Sequence, residues 1–218
     1  MTTMNEKSEA FASFLKERFP DASCTLVFHN PFEAVVAVLL SAQTNDLSVN
    51  KVTPALFALY PDPAAMAKGD LKKIEGCIAS LGLYHNKAKN LLLLAQTIME
   101  KHGGEVPLEF EELVKLPGVG VKTANVVLME ISRRPAYAVD THVARVSKRL
   151  GFAKEADEPL IIEKKLEKTF PKESWIDLHH RTIAFGRAIC HAKSPECGAC
   201  KLHQYCSYFK KSSSTKGK

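Results

Sequence analysis

Two groups of residues in this sequence are suited to chemistry. The first is a row of thiols, Cys190, Cys197, Cys200 and Cys206, spaced C-x6-C-x2-C-x5-C in "CHAKSPECGACKLHQYC". Four thiols in so short a stretch, with no recognisable export signal, argue for metal or cluster ligation rather than disulfides. Cys197 and Cys200 put two thiolates on one turn, aimed at a common centre. Tetrahedral zinc and a [4Fe–4S] cluster both satisfy four thiolates, and spacing does not separate them. The segment after Phe185 has few large apolar residues, so a bound centre would contribute much of its folding free energy, and a structural role is the default. Cys24 and Cys77 stand singly in apolar contexts and are expected to be buried hydrophobes.

The second group is a lysine and an aspartate. In "LPGVGVKTANVVL" a loop of one proline and two glycines runs into a helix whose apolar stripe is Ala124, Val127, Leu128 and Ile131. Lys122 falls in the first turn of that helix, where the macrodipole disfavours a cation. That position, with partial burial, favours the uncharged amine, which is a nucleophile able to form a Schiff base. A plain phosphate-contacting lysine is the alternative. Gly118 and Gly120 can each adopt positive φ and admit close backbone approach, and the helix start after Leu116 offers unpaired N–H groups to a phosphate. Preceded by "EFEELVKL", the stretch describes a helix–hairpin–helix over about residues 110–129. Downstream, "AYAVDTHVARVSKRLG" carries Asp140 inward on an apolar stretch, just before a helix. Aspartate there is a favoured N-cap, but a carboxylate near a nucleophilic lysine could also take a proton or stabilise positive charge on a sugar.

The elements that position these groups are helices. Phe11, Phe14, Leu15 and Phe19 make one apolar face, and "FEAVVAVLLSA", "TPALFALY", "AAMAKGDLKKIEGCIASL", "KAKNLLLLAQTIMEKHG" and "EFEELVKL" follow with helical period. Helices at "DTHVARVSKRLG", "EPLIIEKKLEKTF" and "WIDLHHRTIAFGRAIC" lead to the cysteines. The expected fold class is all-α. A helical block over 24–134 is followed, after the non-helical "SRRPAYAVD", by a block holding the cysteines, and the tail after about residue 210 is expected to be disordered. Where residues 1–23 dock is not legible.

At 218 residues, 45% hydrophobic and 25% charged, the composition is that of a globular protein. No apolar run is long enough to span a bilayer, and no secretory signal is recognisable, so the cytosol is the expected compartment and no membrane partner is expected. The net charge of +6 is unevenly placed. Arg181 to Lys218 holds eight basic residues against one acidic, Glu196, which suits a polyanion such as nucleic acid, or else a solubilising surface.

Taken together, "LLSAQTNDLSVNKVTPALF", "LGLYHNKAKNLL", "GEVP", "LPGVGVKTANVVL", "AVDTH" and the four cysteines resemble, in order and spacing, the endonuclease III family of bifunctional DNA glycosylase/AP lyases. The resemblance spans about residues 30–206. It implies a six-helix barrel domain (24–134) and a [4Fe–4S] cluster domain made of residues 1–23 and 135–218. It implies a monomer acting on double-stranded DNA that contains damaged bases or abasic sites, in the nucleoid of a bacterial-type cell. Oxidised or ring-saturated pyrimidines are the implied lesions, with 3′ strand cleavage by β-elimination. Lys122 matches the nucleophile and Asp140 the catalytic carboxylate. Gln43 matches the residue that fills the gap left by the extruded base, and Leu83 the wedge in the opposite strand, although by themselves they read as a buried amide and a core leucine. Leu116, Gly118, Gly120 and Lys193 are expected at the DNA backbone. A monofunctional glycosylase, a non-catalytic DNA-binding Fe–S protein and an electron-transfer protein remain as alternatives.

Overall fold

The computed structural model describes residues 3–210 and contains eleven α-helices and no strand among them. They are α1 (Met4–Arg18), α2 (Pro31–Leu40), α3 (Asp46–Leu59), α4 (Pro63–Ala67), α5 (Leu71–Ile78) and α6 (Tyr84–His102). After these come α7 (Phe110–Leu113), α8 (Val121–Ser132), α9 (Thr141–Leu150), α10 (Pro159–Thr169) and α11 (Trp175–Ala188). The expectation of disorder after residue 210 lies outside the described residues. No described helix is long and apolar enough to cross a membrane.

The chain divides into two compact units, residues 24–134 and residues 1–23 with 135–218. In the first, α2 is buried from Phe32 through Leu40, as a helix apolar on all sides must be. Asn30 caps it, accepting from Glu33 N, and Pro31 presets its first turn. It packs on α3, α6 and α8, while α6 also packs on α4 and α5.

Two expectations change here. The run over 64–81 is not one helix: it breaks into α4 and α5 at Gly69, where a Cβ would lie 2.8 Å from the Tyr60 ring and 2.9 Å from Met66 O. Asp70 restarts the chain by capping Lys73 N. Conversely, the helix read from Thr53 begins at Asp46 and runs through Pro54. Its first half is held because Asn50 pins the preceding segment, accepting from Val27 N and donating to Thr25 O.

The second unit gathers α1, α9, α10 and α11 around Phe11, Phe14, Leu15, Tyr137, Val143, Val146, Phe152, Phe170 and Phe185. Phe11 sits 5.3 Å from Phe152 and 5.9 Å from Phe170, ring to ring. Residues Ala136 to Val139 are buried and non-helical, so the apolar approach to Asp140 is real. His179 shares a 2.8 Å hydrogen bond with Ala138 O, fixing that approach against α11.

Candidate DNA-lesion site and cysteine cavity

The hairpin between α7 and α8 is anchored by Leu113, Leu116 and Val119, all buried. Leu116 N donates to Leu113 O and Val119 N donates to Leu116 O. Leu116 therefore spends both backbone groups and its side chain inside the protein. It is an anchor of the turn that presents the hairpin. Gly118 has φ +78°, and a Cβ there would meet Leu39 Cδ1 at 2.9 Å and Asn90 at 3.0 Å, so any other residue would be strained. Gly120 differs from expectation: its φ is −93°, and it is the extended N-cap of α8. Nothing lies within 4 Å of where its Cβ would be.

The start of α8 has no side-chain cap. The space where a Gly120 side chain would stand is open, and the positive end of the helix lies beside it. Lys122 is exposed in that first turn. The partial burial expected for it is not supplied by the chain itself, because the stripe of Ala124, Val127 and Leu128 faces inward and Lys122 stands off it.

Gln43 and Leu83 are neither a buried amide nor a core leucine. Gln43 is exposed in the turn after α2 with φ +55°; Leu83 is 58% exposed at the N-cap of α6 with φ +57°. Left-handed backbone at a residue other than glycine costs of the order of 1–3 kcal/mol and persists only where the surroundings hold it. Two such residues, each presenting a bare side chain, are at odds with a purely structural role. Between them lies Lys87, only 5% exposed, whose Nζ donates to Thr44 Oγ1 at 2.6 Å. Burial pushes the Lys87 ammonium below the usual lysine range. Sequence reading missed Lys87. The available signal was its place on the core stripe of α6 with Leu91, Leu94 and Ile98, where a charge is anomalous.

In the second unit Asp140 is the N-cap of α9 and its Oδ1 accepts from Val143 N at 2.8 Å. Capping engages one carboxylate oxygen and leaves the other for chemistry. Nearby, His142 Nδ1 receives an N–H of Arg145 at 3.0 Å, which makes the ring a neutral acceptor. Burial holds this imidazole below its usual range, against the pull of Asp140. Lys122 and Asp140 belong to different units.

Cys190, Cys197, Cys200 and Cys206 line one cavity, walled by Leu150, Phe185, Ile189 and Phe209. Donors point at its sulfurs: Arg149 Nη1 lies 3.4 Å from Cys190 Sγ, and Phe209 N lies 3.4 Å from Cys206 Sγ. Burial, then the neighbouring thiols, push Cys197 up; burial likewise pushes Cys200 up. Among the described residues no three His, Cys, Asp or Glu side chains converge closely enough to hold one metal ion. Arg149 also donates to His191 O (2.6 Å) and Ala192 O (3.0 Å), fixing the loop on which Lys193 stands exposed. Cys24 and Cys77 are half-buried, not fully buried as expected.

A helical fold with a hairpin, a lysine at its helix start and a four-thiol cavity defines a class of DNA repair protein. Residues 36–172 match the HhH-GPD superfamily base excision DNA repair proteins, and the chain belongs to that superfamily. It is 53% identical to endonuclease III of Bacillus subtilis (strain 168) over 190 residues, 87% of either chain. With endonuclease III of Escherichia coli (strain K12) it shares 43% identity over 199 residues, 90% of this chain and 93% of that one. The fold superposes on the structure of a trapped endonuclease III–DNA covalent intermediate with TM-score 0.93 and 48% identity, covering 98% of this chain and all of the other. Within the superfamily it is therefore a member of the endonuclease III family, a DNA glycosylase and AP lyase of base excision repair.

Proposed function

We propose that this enzyme excises oxidised or ring-saturated pyrimidines from double-stranded DNA and then cleaves the strand, as a monomer, with Lys122 as nucleophile and Asp140 as its acid/base partner. The observation that carries the reading is the start of α8. An open, uncapped helix terminus beside Gly120 is a phosphate site, and it holds Lys122 exposed in the same turn. A backbone phosphate held there brings the adjoining sugar to the amine.

The damaged nucleotide must leave the stack before its C1′ can be reached. Gln43 fills the vacated space and Leu83 separates the facing bases; their exposure and left-handed backbones support this. The neutral Lys122 amine attacks C1′, the C1′–N bond breaks and the base departs with its electron pair. Asp140 takes the proton released from nitrogen and offsets the positive charge on the sugar. The sugar ring opens to give an imine between Nζ and C1′. Loss of a C2′ proton then expels the 3′ phosphate, and water releases the lysine. Because Lys122 is exposed in the free chain, the bound duplex itself must exclude water from it.

The four cysteines line one cavity, with N–H donors 3.4 Å from the sulfurs of Cys190 and Cys206, and this lining fits the thiolate-bound [4Fe–4S] cluster that the endonuclease III resemblance implies. Cys190, Cys197, Cys200 and Cys206 would hold such a cluster, whose iron would supply the positive charge for their thiolates and tie the loops after α11 into the unit. Lys193, on the loop closed by Cys190 and Cys197, would then meet a DNA phosphate.

The test is Lys122→Gln. Borohydride-trapped covalent complex and strand scission at abasic sites should vanish while DNA affinity and folding persist. Retained trapping would assign the chemistry to another amine.

A further inference from the structure

We propose that Lys87 is a positioning residue that holds the Gln43 and Leu83 turns in one fixed geometry for entry into DNA. The inference rests on the roles given above to Gln43 and Leu83. Lys87 is four residues beyond Leu83, and its N–H donates to Leu83 O at 3.0 Å, closing the first turn of α6. Its side chain crosses to Thr44, the residue after Gln43, and donates to Oγ1 at 2.6 Å. One residue thus joins the backbone of one left-handed turn to the side chain next to the other.

The choice of residue is costly. A lysine this buried would ordinarily be paired with a carboxylate, and among the described residues Lys87 forms no ion pair; its hydrogen-bond acceptor is a neutral hydroxyl. An apolar side chain of the same length would fill the position on the stripe of α6 with less desolvation. What the apolar chain could not do is hold Thr44. Thr44 N also donates to Ser41 O and its Oγ1 donates to Ala42 O at 3.5 Å, so with its side chain pinned by Lys87 the residue that follows Gln43 is held through both backbone and side chain. That is how surroundings can maintain φ +55° at an exposed glutamine. A phosphate contact is the competing role for a lysine near DNA, and burial beneath Thr44 argues against it.

The experiment uses the full-length protein on a duplex bearing a lesion analogue that resists excision, with 2-aminopurine opposite the lesion to report unstacking. Lys87→Met should leave the thermal midpoint unchanged or raise it. It should shorten the lifetime of the lesion complex roughly ten- to hundredfold, the scale of one charged hydrogen bond, and lower the 2-aminopurine signal. The dependence of affinity on salt should keep its slope. In a Gln43→Ala background, Lys87→Met should add little, because it acts through that turn. A salt slope flattened by about one unit would make Lys87 a phosphate ligand and overturn the proposal. So would full additivity with Gln43→Ala, or an unchanged lifetime in Lys87→Met when Gln43→Ala shortens it. If Gln43→Ala itself leaves lifetime and unstacking intact, the role assigned to Gln43 fails first, and the proposal falls with it.

Discussion

Replacing Asp140 separates a cap from a catalyst, because asparagine and alanine act differently on the two roles. Asp140 Oδ1 receives the Val143 N–H at 2.8 Å. Asparagine can present the same oxygen to the same donor and ranks with aspartate as an N-cap. Asp140→Asn therefore forfeits only the attraction between a negative charge and the start of α9, about 0.3–1 kcal/mol. Asp140→Ala loses the cap as well, typically ~1 kcal/mol. For a chain of this size that is a fall in Tm of about 2–4 °C. Neither loss unfolds an enzyme whose stability is of the ordinary 5–15 kcal/mol. Activity should behave otherwise. With Oδ1 of asparagine on Val143, the amide NH2 occupies the place of Oδ2 and can accept no proton. Base excision under single-turnover conditions should fall at least ~10²-fold in both variants, the scale of a positioned acid/base group. Calorimetry and excision rates on the same preparations decide the matter. Full excision by Asp140→Asn, with loss in Asp140→Ala only as far as its Tm falls, would falsify the catalytic role.

Three further outcomes are expected. The purified protein should carry iron on Cys190, Cys197, Cys200 and Cys206 and absorb broadly near ~400 nm; a colourless, active protein with stoichiometric zinc would contradict this. Lys193→Ala should weaken binding to all duplexes alike and reduce the salt slope by about one unit, whereas unchanged affinity and slope would mean that the loop faces solvent. Gly118→Ala and Gly120→Ala should part company. The first forces a Cβ to 2.9 Å from Leu39 on a positive-φ backbone and should lower Tm; the second has open space and should fold normally but lose DNA affinity as its methyl enters the phosphate position. A Gly120→Ala protein with wild-type affinity would remove the phosphate from that site.

Much of the fold was legible because its causes are local. Helical period, proline at first turns and Asn, Asp or Thr caps act over three or four residues, so α1, α2, α6 and α8 to α11 stood out in the sequence. So did the spacing of the thiols, and the pairing of a hairpin lysine with a downstream aspartate. The break at Gly69 was not legible, because it depends on a ring from Tyr60 and a carbonyl from Met66 packed against it. Nor was the exposure of Lys122, Gln43 and Leu83, or the burial of Lys87. A leucine's sequence context reads the same whether it packs or protrudes. What makes Leu83 protrude is a left-handed N-cap, and what joins its turn to that of Gln43 is a hydrogen bond between residues 43 apart in the chain. Residue types and local periodicity determine which chemistry is available; the direction in which each side chain points is decided only when distant segments close on one another, because burial and strain belong to the packed molecule.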